Sequence, residues 1–482
     1  MNLFDGFSML TELYEIQTAE GYFNSPKRYT TAYFDLFFRK VPDNGGFAIM
    51  AGLEQVIEYL KNIKYSEDDL EFLRSKGVGE DFIDYLRNFK FTCDVWAVPE
   101  GTPIFPNEPI IKVRGPFVQA QLIETALLML INQQSLIATK ANRLVRAARG
   151  TTVAEYGTRR AQGSSQAILG ARAAYIGGCS MTSGIIPAKH FGIPAVSTMI
   201  HSWVQMFDSE YDAFCEYAKR FPDDCSVVVD TYDTIRSGIP NAIRAFNDVL
   251  APMGKRPVSI RIDSGDITYL SKRARKMLDE AGYPDCDIMA SNSLDEYLIN
   301  DMVSQGAKVD CFIVGERLIT SASSPLFSGV YKLCAVEKDG EVVPKINLSE
   351  NVSKITIPSS KQLYRLFDMS TGKAIADVLT LDGEVIDEGK PYTLFDPDFT
   401  WKRKDIDAFV ARPLLKKIFD GGKCVYQSPS LEDIREYCEE QINTLWDEVK
   451  RFENPHKYYV DLSKELWRVR NRLIEEHKGV VK

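Results

Sequence analysis

Residues 258–266 read Val-Ser-Ile-Arg-Ile-Asp-Ser-Gly-Asp. An apolar run stops at an acid, a hydroxyl and a glycine, and a helix-length stretch follows. The same grammar recurs through the middle of the chain. Thr152–Tyr156 precedes Gly157-Thr158-Arg159, Ala195–Met199 precedes His201-Ser202, and Ser226–Val229 precedes Asp230-Thr231. Asp287–Ala290 precedes Ser291-Asn292-Ser293, and Phe312–Val314 precedes Gly315-Glu316-Arg317. Short buried strands alternating with helices predict a parallel α/β fold. In such folds ligand groups collect at the carboxyl ends of the strands. Periodicity alone leaves a closed barrel and an open doubly wound sheet both standing.

Outward from this core, Tyr29–Lys40 is aromatic and β-branched and reads as a strand, with a turn at Asp43-Asn44-Gly45-Gly46 and a helix over Leu53–Ile63. Pro99–Pro116 reads as strands and turns, and Gln119–Arg149 as one long helix that Gly150 can cap. Past residue 330, Tyr331–Glu337 with Val342–Leu348, and Leu363–Asp368 with Ala374–Thr380, predict hairpins around glycine turns. Leu431–Leu445, with Ser430 and Asp433 at its start, and Leu462–Glu476 predict tail helices. The expected division is an N-terminal α+β segment (1–145), an α/β segment (146–330), and hairpins and helices packing back on both (331–482).

Bulk properties narrow the function. The 482 residues carry 67 acids against 58 Lys and Arg, for a net charge of -9. A duplex-binding surface needs the opposite balance, so nucleic acid is not an expected partner. The nine cysteines are scattered without a C-x-x-C pair, and their odd number forbids a complete internal disulfide set, so reduced thiols are expected. With four histidines, a zinc-finger site is not expected. Met1–Gly6 has no cationic leader region, and the apolar stretch Ala126–Ile131 is too short to span a bilayer. A cytoplasmic protein with no membrane partner is the expectation.

His201 stands among hydroxyls in Ser197-Thr198-Met199-Ile200-His201-Ser202. A lone histidine is commonly a satisfied, partly buried side chain, so its neighbours must decide its role. In the opening segment Arg261 and Asp263 alternate with isoleucines and share one face of the strand. A buried arginine needs an anionic partner. Asp263 itself is one candidate, and a carboxylate or phosphate substrate is the other. The turns at Ser291-Asn292-Ser293 and Gly315-Glu316-Arg317, each ahead of a helix, suit phosphate, and Thr158, Arg159 and Arg160 add charge. Neither G-x-x-x-x-G-K-[ST] nor G-x-G-x-x-G occurs.

Seven segments together resemble the nicotinate phosphoribosyltransferases in order and spacing. They are Phe34–Arg39, Gly157–Gly163, Thr198–Ser202, Val229–Asp233, Arg261–Asp266, Gly329–Leu333 and Asn454–Ser463. The resemblance implies an irregular TIM-like α/β barrel with an N-terminal α+β domain and a helical C-terminal tail. It implies a homodimer with shared sites. The implied reaction, in NAD biosynthesis, converts nicotinate, phosphoribosyl pyrophosphate and ATP to nicotinate mononucleotide, pyrophosphate, ADP and phosphate. ATP would phosphorylate His201, and Mg²⁺ would accompany the phosphates, its direct protein ligands unassigned. Arg261 and Asp263 join His201 as implied catalytic residues. Tyr14 (from the neighbouring subunit), Tyr156, Ser180, Thr198 and Arg261 would surround nicotinate. Arg159, Asp230, Ser264, Ser291, Asn292, Gly315, Glu316 and Thr320 would hold phosphoribosyl pyrophosphate. One departure stands out: the family's Thr-Asp-Leu-Tyr-Gln appears here as Thr11-Glu12-Leu13-Tyr14-Glu15. Val227–Thr234 lacks the adjacent acids of the loop that marks a different group, the Rossmann-like phosphoribosyltransferases. The related nicotinamide enzyme has an aspartate where Ser180 falls, and a neutral Ser180 does not repel a carboxylate. A nicotinamide phosphoribosyltransferase and a non-catalytic pyridine nucleotide-binding protein are the alternative readings.

Overall fold

Six short parallel strands carry the middle of the chain. They are β1 (Thr152–Glu155), β2 (Met181–Thr182), β3 (Ser226–Val228), β4 (Ser259–Ile262), β5 (Asp287–Ala290) and β6 (Cys311–Val314). The computed structural model describes residues 7–349 and 354–477. Met1–Gly6, read above for a leader, lies outside the described residues. The spatial order is β2-β1-β6-β5-β4-β3, and every pairing is parallel. All residues of β3, β4 and β6 are buried, as strands covered on both faces must be. The sheet is a curled half-barrel, the mixed α/β architecture expected from the sequence.

Ala195–Met199 departs from its expected strand. Ala195 makes an isolated parallel bridge to Thr182. The Val196 N–H donates to the Thr182 carbonyl at 3.0 Å, and the Met199 N–H donates to the Ser226 carbonyl at 3.0 Å. One irregular segment therefore bonds to both edge strands, β2 and β3. Pro194 just before it has no N–H, so a continuous ladder cannot start there. Edges left open would invite foreign strands, and this segment covers both.

Contacts group the chain into two compact units, Ile137–Pro325 on one hand and Met1–Leu136 with Leu326–Lys482 on the other. The contiguous unit holds the parallel sheet. It also holds a buried ionic cluster in which Glu296 accepts from Lys140 at 2.9 Å and from Arg143 Nε at 2.8 Å. The other unit is built on a seven-stranded sheet. In it Thr31–Phe38 pairs antiparallel with Ile111–Pro116 on one side and Gly329–Lys338 on the other. A second sheet of four strands places Val460–Leu462 parallel to Ala374–Leu381. Leu431–Thr444 and Lys464–Glu476 are the tail helices, the first opened by a capping box of Ser430 and Asp433.

The long helix expected over Gln119–Arg149 is two helices, Phe117–Leu122 and Glu124–Ala147, interrupted at Ile123. Arg149 and Gly150 follow in the left-handed region, with φ of 49 and 95°. All nine cysteines are free, and all but Cys424 are buried. No helix among the described residues is long and apolar enough to cross a membrane.

Candidate active site

Strand β4 sets the geometry. Its residues alternate faces, so Arg261 points into the concave side while Ile260 and Ile262 pack into the core. Arg261 is 7% exposed. Its Nε donates to the Ser291 hydroxyl at 2.9 Å, Nη1 to the Thr198 hydroxyl at 3.2 Å, and Nη2 pairs with Asp263 at 2.9 Å. The internal ion pair weighed above is present. A guanidinium carries five N–H donors, and these contacts use three. The two that remain are available to an external anion.

Beyond β4 the chain turns, and Asp263 meets Asp230, which follows β3. Asp230 accepts the Asp263 N–H at 3.0 Å and the Ser264 hydroxyl at 2.5 Å through Oδ2. Its other oxygen, Oδ1, is buried without a hydrogen-bond partner. Ser291 donates its hydroxyl to Asp263. Burial alone would raise the Asp263 carboxyl. The Ser291 hydrogen bond and the charges of Arg261 and His201 more than offset that and hold it below the usual aspartate range.

His201 opens a five-residue helix, His201–Gln205, directly after the segment that spans the two sheet edges. Its Nδ1 lies 3.1 Å from the Thr231 hydroxyl. Its Nε2 lies 3.7 Å from Asp263 and 4.0 Å from the unpartnered Asp230 oxygen. The side chain is 40% exposed. The imidazole is thus half-open, fixed at one nitrogen and facing two carboxylates with the other.

Curated relatives match the chain over nearly its whole length. A nicotinate phosphoribosyltransferase from Bacillus subtilis is 44% identical over 98% of this chain and 96% of its own length. The chain belongs to the nicotinate phosphoribosyltransferase family. Family models for the nicotinate phosphoribosyltransferase N-terminal and C-terminal domains match residues 9–132 and 360–470. The Dictyostelium discoideum nicotinate phosphoribosyltransferase is 34% identical over 95% of this chain and 87% of its own length. The crystal structure of human nicotinic acid phosphoribosyltransferase matches with a TM-score of 0.84 at 28% identity, covering 97% of this chain and 100% of that one.

In this nicotinate phosphoribosyltransferase family member, Tyr156 follows β1 and packs against a small apolar cluster of Ala154, Met289, Cys311 and Ile313. Its hydroxyl is buried, and burial pushes the phenol up to about 12. Ser180 is half-buried and donates its N–H to the Val153 carbonyl at 2.9 Å. Arg159 and Asn292 are exposed after β1 and β5. Gly315 follows β6. Tyr14 belongs to the other unit, 51% exposed on the helix Leu13–Phe23, where its hydroxyl donates to Glu15 at 3.3 Å.

Besides Asp230 and Ser264, which bond to each other, three more residues expected at the phosphates are already engaged. The Ser291 hydroxyl donates to Asp263, and the Thr320 hydroxyl donates back to the Glu316 carbonyl at 2.6 Å. A phosphate must win either donor from an internal acceptor. Glu316 accepts from the Ser293 hydroxyl at 2.7 Å, and its carboxylate offers acceptors only, which suits a sugar hydroxyl rather than a phosphate. Asn292 and Ser293 take φ of 101 and 40°, a region that residues with side chains seldom adopt.

Two groups escaped the sequence reading. Thr231 holds His201 Nδ1. Glu155, hidden inside an otherwise apolar run, is 1% exposed and accepts from the Thr182 hydroxyl at 2.6 Å and from the Gly157 N–H. Burial raises its carboxyl despite these two hydrogen bonds. It anchors the turn that carries Tyr156 and Arg159. Asp233 caps the following helix by accepting from the Ile235 and Arg236 N–H groups at 3.0 and 2.8 Å.

Proposed function

We propose that the chain transfers the 5-phosphoribosyl group from its pyrophosphate donor to nicotinate, coupled to ATP cleavage through phosphorylation of His201, and serves NAD biosynthesis. The observation that carries this reading is the imidazole held at Nδ1 by Thr231 while Nε2 faces Asp230 and Asp263. With the Nδ1 proton directed at the Thr231 oxygen, Nε2 presents its lone pair. It attacks the γ-phosphorus of ATP and ADP leaves. Water later takes the phosphoryl group as phosphate.

The transfer itself is a displacement at the anomeric carbon. The pyridine nitrogen attacks C1, the bond to pyrophosphate breaks, and no proton needs to move. The protein's work is positioning and charge stabilisation. The two unused N–H groups of Arg261, beside the Thr198 hydroxyl, meet the nicotinate carboxylate. Tyr156 covers the ring from one side, and Tyr14 of a second copy covers the other, which makes the acting species a homodimer. Arg159 approaches the leaving pyrophosphate. Asn292 and Gly315, with Ser291 and Thr320 once their hydroxyls turn, receive the 5-phosphate.

Asp230 and Asp263 fit a magnesium ion arriving with phosphates. Mg²⁺ takes oxygen donors and is commonly held by one or two carboxylates plus phosphates and water. The buried, unpartnered Asp230 oxygen is such a donor. When bound, the ion neutralises charge on phosphate oxygens.

The test is His201→Ala with radiolabelled γ-phosphate. The expected outcome is loss of phosphoenzyme and of ATP stimulation, with slower ATP-independent formation of nicotinate mononucleotide surviving. Undiminished stimulation by ATP excludes the role given to His201.

A further inference from the structure

The tail motif Asn454–Tyr459 supplies none of the groups at the strand ends. In the unit formed by the two chain ends it lines a cavity of about 1100 Å³, together with the strands Tyr392–Phe395 and Arg403–Ile406 and the loop joining them. The floor is firm. Tyr458 stacks on Phe105 with ring centroids 3.9 Å apart, and its hydroxyl donates to Asp377 at 3.0 Å. Asp377 in turn pairs with the fully buried Arg365 at 2.6 Å.

The charge around this cavity runs against the rest of the protein. Five cations, Lys402, Arg403, Lys404, Lys457 and Arg470, face three carboxylates, Asp396, Asp398 and Asp461, in a chain whose net charge is -9. Among the described residues only Arg470 of the five is in an ion pair, with Asp398 at 2.8 Å. Local positive charge in a concave site collects anions. Two partly exposed aromatic rings stand beside the ammonium groups. Phe399 is 46% exposed with Lys402 Nζ 4.4 Å from its centroid, and Tyr459 is 38% exposed with Lys404 Nζ at 5.9 Å. Flat bases stack on such rings. Asp461 is 4% exposed. Burial and the neighbouring Asp396 push its carboxyl up to about 7, against a backbone hydrogen bond from Phe395 and the charge of Lys457. It lines the cavity, and acids in other proteins hold ribose hydroxyls.

We propose that this cavity is a second ligand site, for a nucleoside di- or triphosphate, with the phosphates on Lys402, Lys404 and Lys457, the base against Phe399 and the ribose hydroxyls on Asp461. Its volume is at the generous end for one small ligand. The site is separate from the transferase reading, and either can fail alone.

The test uses the full chain, radiolabelled 8-azido-ADP and peptide mapping after irradiation. Label is expected in peptides covering 396–404 or 454–461. The double variant Lys402→Glu, Lys404→Glu should lose more than about tenfold of that label, since it removes two charge-assisted contacts and adds two repulsive charges. Its label in peptides from 152–325 and its unfolding temperature should be unchanged. Unlabelled ADP should protect the tail peptides better than inorganic tripolyphosphate. Label confined to 152–325 overturns the proposal. Protection by tripolyphosphate equal to that by ADP also overturns it, because the nucleoside then contributes nothing.

Discussion

Arg261→Lys is the most informative single change. It keeps the charge and the stem but replaces a planar fork by a point donor. Arg261 reaches Ser291 at 2.9 Å, Thr198 at 3.2 Å and Asp263 at 2.9 Å, from three different nitrogens. An ammonium at the end of a lysine has three donors in place of five, so serving Asp263 and both hydroxyls would leave none for a substrate carboxylate. The loss is therefore one to two hydrogen bonds in which one partner is charged, about 2–4 kcal/mol. If these act in the transition state, kcat/KM falls by about 30- to 1000-fold. The assay is steady-state formation of nicotinate mononucleotide with each substrate varied in turn, alongside thermal unfolding to separate lost catalysis from lost fold. A variant that keeps kcat/KM within about threefold for both substrates would show that Arg261 is scaffold only, and the proposed binding of nicotinate would have to move elsewhere.

Other outcomes follow from neighbouring features. Glu296→Gln leaves Lys140 and Arg143 with a buried excess charge and should cost about 3–5 kcal/mol near neutral pH by denaturant unfolding. Burial raises the Glu296 carboxyl, but the two cations more than offset it, so its folded value is lowered. Its contribution is then complete above the ordinary glutamate range and lost as pH falls through that lowered value. The gap between parent and variant must close in acid, and a gap that widens contradicts the assignment. Gly157→Ala places a Cβ 2.5 Å from the Ile319 Cβ and 2.8 Å from Glu155 Oε1. Overpacking of that kind should cost about 1–3 kcal/mol, and an unchanged melting temperature would refute it. Ser180→Asp should move preference from nicotinate toward nicotinamide in a competition assay, and an unaltered ratio would remove Ser180 from the pyridine site.

Much of this was legible because strand, turn and polar tip repeat. Val258–Ile262 announced β4 with Arg261 and Asp263 on one face, since alternation is a local property. Ala195–Met199 misled because an apolar run says nothing about which edges it will meet. Proline at 194 and hydroxyls at 197 and 198 made it a bridge between two strands instead of a strand. β2 is two residues long and has no pattern to detect. The hold of Thr231 on His201 is a contact across thirty residues of chain, invisible to any local rule. Glu155 was passed over because one acid in an apolar strand looks like an exposed edge residue, and only the folded sheet shows Thr182 opposite it. The tail strands Arg403–Ile406 and Lys416–Asp420 are largely charged, so their pairing came from neighbours rather than from composition.

The central sheet of the two-ended unit joins Phe34 to Leu333 across most of the chain. During synthesis, the strand Thr31–Phe38 leaves the ribosome long before that partner exists, whereas Ile137–Pro325 emerges as one uninterrupted piece. The inserted unit can finish its own sheet first, and the host must wait with a hydrophobic strand exposed. Chaperone demand should therefore fall on the earliest-made residues, and a nascent chain released near residue 320 should be protease-resistant in its later half and vulnerable in its first.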